Sequence, residues 1–449
     1  MYNISRNNAY KKQGFQGTYN NLFEIEPTRP GASNTNNTDD TDPTNVCPLH
    51  TPEARKYHYL EQDRYVHSPH LTPQLVHLLF AHQPPTHKLA TLAGMSALTR
   101  NRTTQTMPND LMLEYYVQRA RGGAGLIVSE GTLITRQGTE WPAAPGLWDR
   151  SQIAGWRKIT DAVHAAGSKM YAQLSHGGRA NHPDAPEQVA SGVPVYAPSA
   201  IAARGGKFRF IPGEPGYVVP TVLPDPTTIV AEFKQAAINA KEAGFDGVEL
   251  HGASGYLVNQ FLDFTSNHRT DKWGGSAANR ARFAIETLKA LKEVWGSDVA
   301  IKLSPAGGHN DVGMPLPDTI ETFGYLLREV EKLGLAYVAL VRYNPARDPM
   351  FDGKPRGTPH DVLATFRPFL LTTPIFINGG VTPGEAESLM ASGSVAGVFM
   401  GSTWISHPDV ARRIKAGRPL DNVVDFAHLY GKEGVDPAVG YLDYAEAVY

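Results

Sequence analysis

The sequence predicts an α/β fold, a closed (β/α)8 TIM barrel behind a low-complexity N-terminal extension, on three observations. From Leu89 onward, short apolar runs of strand character alternate with longer stretches of helical period. Eight such runs fall within about 320 residues, enough for one closed ring. Gly122, Gly123, Gly167, Gly244, Gly296, Gly334 and Gly393 sit just past the helical stretches, where a left-handed residue ends a helix. Strands buried on both faces and joined by helices require a parallel sheet with right-handed crossovers. An open doubly wound sheet would want a glycine fingerprint at its first strand-to-helix turn. The only such run, Gly122-Gly123-Ala124-Gly125, comes after a helix and before a strand, so it reads as a helix stop.

Taken in order, the expected strands are 89–95, 125–129, 169–174, 247–250, 299–303, 336–341, 374–377 and 397–400. The expected helices are 110–121, 151–166, 227–243, 277–295, 317–333, 383–391 and 408–416. Ile153, Trp156, Ile159 and Val163 form one apolar stripe at helical spacing, and Ala284, Leu288, Leu291 and Trp295 form another, so each helix has one face to bury. Residues 1–75 differ from everything after them. Between 27 and 45 the chain is nearly all Asn, Thr, Asp, Pro, Gly and Ser, too polar to repay the entropy of ordering. The expected division is an extension over 1–75, flexible in part, and a barrel domain over 76–449.

Bulk properties narrow the function. Forty-two basic residues against 44 acidic ones give a net charge of −2, which offers no footprint for nucleic acid or an anionic membrane. The single cysteine, Cys47, excludes an intrachain disulfide framework and a Cys-rich metal site. The six histidines from His58 to His87 lack metal-ligand spacing, so no metal is expected. No apolar run approaches the length of a membrane span, and the expected location is the cytoplasm. A small-molecule partner fits these limits.

Barrel chemistry gathers at the C-terminal ends of the strands. There the sequence supplies Ser96, Thr99 and Arg100, then Glu130 and Gly131, Gln173 and His176, then His251, Ser254 and Tyr256, and Lys302. The last two strands end in Asn378-Gly379-Gly380 and Gly401-Ser402-Thr403, paired glycine loops of the kind that cradle a phosphate with backbone N–H groups. Gln173 can donate and accept at once, Thr99 can bond a ring atom, and Lys302 can place a positive charge beside a ring that becomes anionic. Their convergence suggests a planar, phosphate-bearing cofactor.

The motifs SALTRNR (96–102), GGAGLIVSEGT (122–132), QLSHGGRA (173–180), AGFDGVELHGASGYLVNQFL (243–262), NHRTDKWGGS (267–276), NRARF (279–283), INGG (377–380) and FMG (399–401) resemble the Old Yellow Enzyme family of FMN-dependent ene reductases. The resemblance runs from about residue 89 to 408. It implies FMN as cofactor, NADPH or NADH as reductant, and an enone or enal as substrate. Ala97 and Thr99 would lie against the flavin, Gly131 would allow close approach of the backbone, Gln173 would bond the pyrimidine edge and Lys302 would sit beside the ring. Gly379, Gly380, Gly401 and Ser402 would hold the phosphate. Hydride would pass from flavin N5 to the β-carbon, with the substrate oxygen held by His251 and Ser254 and the proton given by Tyr256. Departures from the family pattern are Ser254 for His or Asn, Lys302 and Ser402 for arginines, Ala97 for proline and Trp273 for tyrosine. They leave two alternatives open: a flavin-dependent isomerase or oxidase of a secondary pathway, or a flavin-binding protein whose chemistry has decayed.

Overall fold

The computed structural model describes residues 93–139, 141–205 and 216–449. The expected extension over 1–75, the histidines from 58 to 87 and Cys47 lie outside them. Eight parallel strands form the ring: β1 (Ala93–Met95), β2 (Leu126–Val128), β3 (Lys169–Ser175), β4 (Gly247–Gly252), β5 (Val299–Leu303), β6 (Tyr337–Val341), β7 (Ile375–Asn378) and β8 (Gly397–Met400). Each pairs with the next in sequence. Closure comes from β8 on β1, with Gly94 opposite Phe399, while β2 on β3 sets Ile127 opposite Met170. The fold is the predicted (β/α)8 barrel.

Period-two alternation decides what fills the ring. Leu126, Val128, Tyr171, Ala300, Tyr337, Ala339, Phe376 and Phe399 make an interior cluster of their own. Tyr337, Phe376 and Phe399 meet with ring centroids 5.0 to 5.5 Å apart. Gly94 makes room for them, since a Cβ there would stand 2.6 Å from a Phe399 ring carbon. These apolar and aromatic side chains fill the lower barrel beneath the polar groups of the strands.

The helices cover the outside. They are α1 (Asp110–Arg121), α2 (Arg150–Ala165), α3 (Pro226–Glu242), α4 (Ala277–Trp295), α5 (Leu316–Leu333), α6 (Val362–Phe366), α7 (Pro383–Ala391) and α8 (Val410–Lys415). Helix α2 begins at an Asp149 cap with a capping box to Gln152 and buries the expected stripe of Ile153, Trp156, Ile159 and Val163. Two expectations differ. Between β6 and β7 the sequence shows no helical period, and the structure has only the five-residue α6 followed by a 3-10 turn at Arg367–Phe369. The helix expected over 408–416 is present as the shorter α8, and a further five-residue helix, Ser402–Ser406, precedes it. His407, which precedes Pro408, is extended at φ −127° and ψ 97°, as the proline ring demands of its neighbour.

Beyond α8 the C-terminal segment crosses back over β1 and α1. Arg100 donates to the carbonyls of Leu429 and Gly440, Arg102 to those of His428, Pro437 and Val439, and Tyr441 stacks on Tyr115 at 4.1 Å. This seats Tyr430 against Trp141, 4.5 Å between centroids. Among the described residues no helix is long and apolar enough to cross a membrane.

Candidate active site

Strand β4 carries two polar side chains on its inward face, Glu249 and His251, spaced by the strand's period of two. His251 is half-buried, and its ring meets that of Tyr256 edge to face, 5.0 Å between centroids at 68°. Burial, reinforced by the charges of Lys302 and His309, pushes the imidazole down to about 3, so it is neutral at physiological pH. Its Nδ1 accepts from the Ala253 N–H at 3.3 Å. The proton of the neutral ring then resides on Nε2, which makes His251 a hydrogen-bond donor through that atom.

The turn that follows is held by its neighbour β5. Ser254 adopts φ +58°, an uncommon left-handed conformation for a residue with a side chain. Its N–H donates to Ser304 Oγ at 2.8 Å, and its carbonyl accepts from Asn310 Nδ2 at 2.9 Å. Gly255 follows at φ +68°, with its N–H on Asn259 Oδ1 at 3.0 Å, and a Cβ there would collide with the His309 carbonyl. Tyr256 then opens the short helix Leu257–Leu262 without capping it. The sequence around Ser254 thus fixes a backbone, and the serine hydroxyl takes no part in these bonds.

His251 and Tyr256 line a narrow cleft of about 20 Å³ together with Thr99, Gly131, Trp141 and Ser175. Four of the expected site residues are therefore brought together: Thr99, Gly131, His251 and Tyr256. Ser254 is not among the lining residues. Gln173, 2% exposed, donates through Nε2 to Glu249 at 2.7 Å, which leaves its Oε1 as acceptor. The nearest atoms to a Cβ on Gly131 would be those of Gln173 and Ser175, at 3.7 Å and beyond, ordinary contact distances. Lys302 is buried, donates to Ser96 Oγ at 2.8 Å and is held below the usual lysine range by burial, against the pull of Glu249. Ala97 packs against the interior cluster.

The phosphate-type loops also lie side by side. Asn378 Nδ2 donates to the Phe399 carbonyl at 2.8 Å, tying the end of β7 to β8. Gly379 and Gly380 turn at φ 108° and 65°, and no atom lies within 4 Å of where a Cβ on Gly380 would sit. Gly401 precedes the helix that Ser402 begins. An open glycine turn, a buried lysine and a free amide acceptor offer the donors and the acceptor that the phosphate and ring of FMN can bond, so the residues present fit that cofactor.

Other expectations resolve as structure. His176 keeps its loop: Nδ1 accepts from Gly178 N–H at 3.0 Å and Nε2 meets Gln137 Oε1 at 2.6 Å, while burial pushes the ring down to about 3. Arg269 and Asp271, in the motif after β4, form a salt bridge at 2.6 Å, and Arg269 also donates to the Leu223 carbonyl. Sequence reasoning passed over Glu249. It is 1% exposed, accepts from Gln173 and from the Tyr337 hydroxyl at 2.9 Å, and its carboxyl is raised by burial against the pull of Lys302. Period-two alternation from His251 would have found it. Nothing in the sequence signalled Trp141, Ser304 or Asn310.

A (β/α)8 barrel with these groups at its strand ends fits a flavin-dependent oxidoreductase. The comparisons agree. The profile of the NADH:flavin oxidoreductase / NADH oxidase family matches residues 88–421. A NADP-dependent oxidoreductase of Aspergillus flavus is 38% identical over 336 residues, 73% of this chain and 85% of the relative. A 12-oxophytodienoate reductase of Oryza sativa subsp. japonica is 33% identical over 383 residues, 82% of this chain and 94% of the relative. The solved structure of morphinone reductase superposes with a TM-score of 0.69 at 34% identity, covering 79% of this chain and 92% of that one. The chain belongs to the NADH:flavin oxidoreductase family, the Old Yellow Enzyme family. It is an enzyme whose cofactors are FMN and a nicotinamide dinucleotide.

Proposed function

We propose that the protein reduces the C=C bond of α,β-unsaturated carbonyl compounds. The observation that carries this reading is the pairing of a neutral His251, with its proton on Nε2, and the Tyr256 phenol on one cleft beside Thr99 and Gly131. FMN, when bound, supplies hydride transfer from the nicotinamide to the substrate's β-carbon. Thr99, Ala97, Gly131, Gln173 and Lys302 would hold its ring, and Gly379, Gly380, Gly401 and Ser402 its phosphate.

The protein's own part is polarisation and proton delivery. Negative charge develops on the carbonyl oxygen as the alkene is reduced, and a donor held in place beforehand stabilises it without reorganisation. His251 Nε2–H is that donor. One such bond contributes on the order of 2 to 4 kcal/mol of barrier. A cationic imidazole would itself be a proton source, whereas the neutral ring leaves that role to Tyr256, which delivers the proton to the α-carbon. Ser254 offers at most a short hydroxyl, so His251 carries most of the polarisation.

The test is a two-step anaerobic titration of the yellow protein. NADPH should bleach the flavin absorbance and cyclohexenone should restore it. A flavin that bleaches but is reoxidised by no member of an enone and enal panel would defeat this reading.

A further inference from the structure

The Gly379-Gly380 turn has a cation beside it that position 402 does not supply. Arg342, the first residue past β6, donates its backbone N–H to the Asn378 carbonyl at 2.8 Å and its Nε to the Gly379 carbonyl at 3.0 Å. Nη1 and Nη2 fork onto the Glu385 carboxylate at 2.5 and 3.1 Å. These bonds use three of the five guanidinium N–H groups and leave two. The arginine side chain keeps 28% of its surface exposed.

That surface faces a cavity of about 470 Å³ lined by Arg342, Tyr343, His360, Asp361, Gly379 and Gly380. His360 gives its Nδ1 proton to the Thr358 carbonyl at 2.7 Å, and its buried Nε2 has no hydrogen-bond partner among the described residues. Asp361 brings a carboxylate to the same wall, with Oδ1 engaged by the Ala364 N–H at the head of α6. Ser402 carries no charge, and the helix it begins runs only five residues.

We propose that Arg342 is the cation that clamps the FMN phosphate in this chain, and that Glu385 is the anion it must share or release. The proposal rests on the FMN-binding reading. A phosphate accepts a planar guanidinium fork as well as a carboxylate does and brings more charge. The Arg342–Glu385 pair is neutral as it stands, so an arriving phosphate meets two free N–H groups and one competing carboxylate. Glu385 therefore weakens FMN binding even as it aims the arginine at the glycine turn.

The full-length protein, stripped of flavin, is titrated with FMN and with riboflavin, which lacks the phosphate, and quenching of flavin fluorescence is followed. Arg342→Ala should weaken FMN by at least about 10-fold and leave riboflavin unchanged. Glu385→Gln should strengthen FMN alone, and Arg342→Lys should fall between wild type and Arg342→Ala. If Arg342→Ala weakens both flavins equally or neither, the clamp is overturned. It is also overturned if FMN binding is intact and only NADPH binding suffers, because the cavity then serves the dinucleotide. Should Arg342→Ala not fold, the lysine and Glu385→Gln variants decide the matter by the same FMN-to-riboflavin ratio. Wild-type protein that binds neither flavin would instead defeat the underlying reading.

Discussion

Replacing Tyr256 with phenylalanine removes one hydroxyl and keeps the ring. The aromatic contact with His251, 5.0 Å at 68°, depends on that ring, and the helix from Leu257 takes no side-chain cap from Tyr256. The variant should therefore fold with a stability change within about 1 kcal/mol. A positioned general acid contributes about 10²- to 10⁴-fold to a proton-transfer step, or roughly 3 to 5 kcal/mol of barrier. That loss should fall wholly on the half-reaction in which the enone is reduced. Anaerobic stopped-flow separates the two halves, with NADPH against oxidised enzyme and cyclohexenone against reduced enzyme. The account requires the first rate to stay near wild type and the second to fall by at least about 10²-fold. Equal slowing of both halves, or an unchanged enone rate, refutes Tyr256 as proton donor.

Four further outcomes follow from the structure. Ser254→Asn should tighten enone binding, since asparagine tolerates the φ of +58° and reaches further as a donor; unchanged or weaker binding would mean that Ser254 suits another ligand. His251, pushed to about 3 by burial and its cationic neighbours, should show no ring titration by NMR between about pH 5 and 8, and a midpoint near the free-histidine value would remove the neutral-donor argument. Glu130, 1% exposed, is raised by burial to about 7 against the pull of the Arg100 N–H and the Tyr116 hydroxyl. Because the folded state keeps a proton that the unfolded state releases above pH 4.5, Glu130's contribution to stability should decline from there to about pH 7 and then level off, opposing the rise that the depressed His176 and His251 rings bring up to about pH 6.5. Glu130→Gln should remove that contribution, worth about 3 kcal/mol in full, and a difference in thermal midpoint between the two proteins that stays constant from pH 4.5 to 7 would contradict it. Deletion of residues 1–75, which we take to be a separable extension, should spare FMN binding as read by retained flavin absorbance; colourless protein would show that the extension belongs to the barrel.

The barrel was legible because each strand is an apolar run and each long helix shows a stripe, and α2 and α4 bury the side chains that their spacing marks. What escaped was set by contacts rather than period. Helix α6 and the helix Ser402–Ser406 are each five residues long, too short to show a stripe. At the site, residue types announced His251, Tyr256, Thr99 and Gly131, since each stands at a strand end. The partners did not announce themselves. Ser304 and Asn310 reach Ser254 only because β5 lies beside β4, with His251 opposite Lys302. The bond from Gln173 to Glu249 likewise depends on the register of β3 with β4. Nothing in the sequence ties Arg342 to the glycine turn, and its bond to the Gly379 carbonyl is what connects the two.

The most direct test of the central claim is where the hydride ends. The enzyme, supplied with NADPH deuterated at the transferred position and with cyclohexenone in ordinary water, should yield cyclohexanone with deuterium at the β-carbon. Protein that holds FMN and is bleached by NADPH, yet gives no saturated ketone or a ketone without label at the β-carbon, would contradict the account.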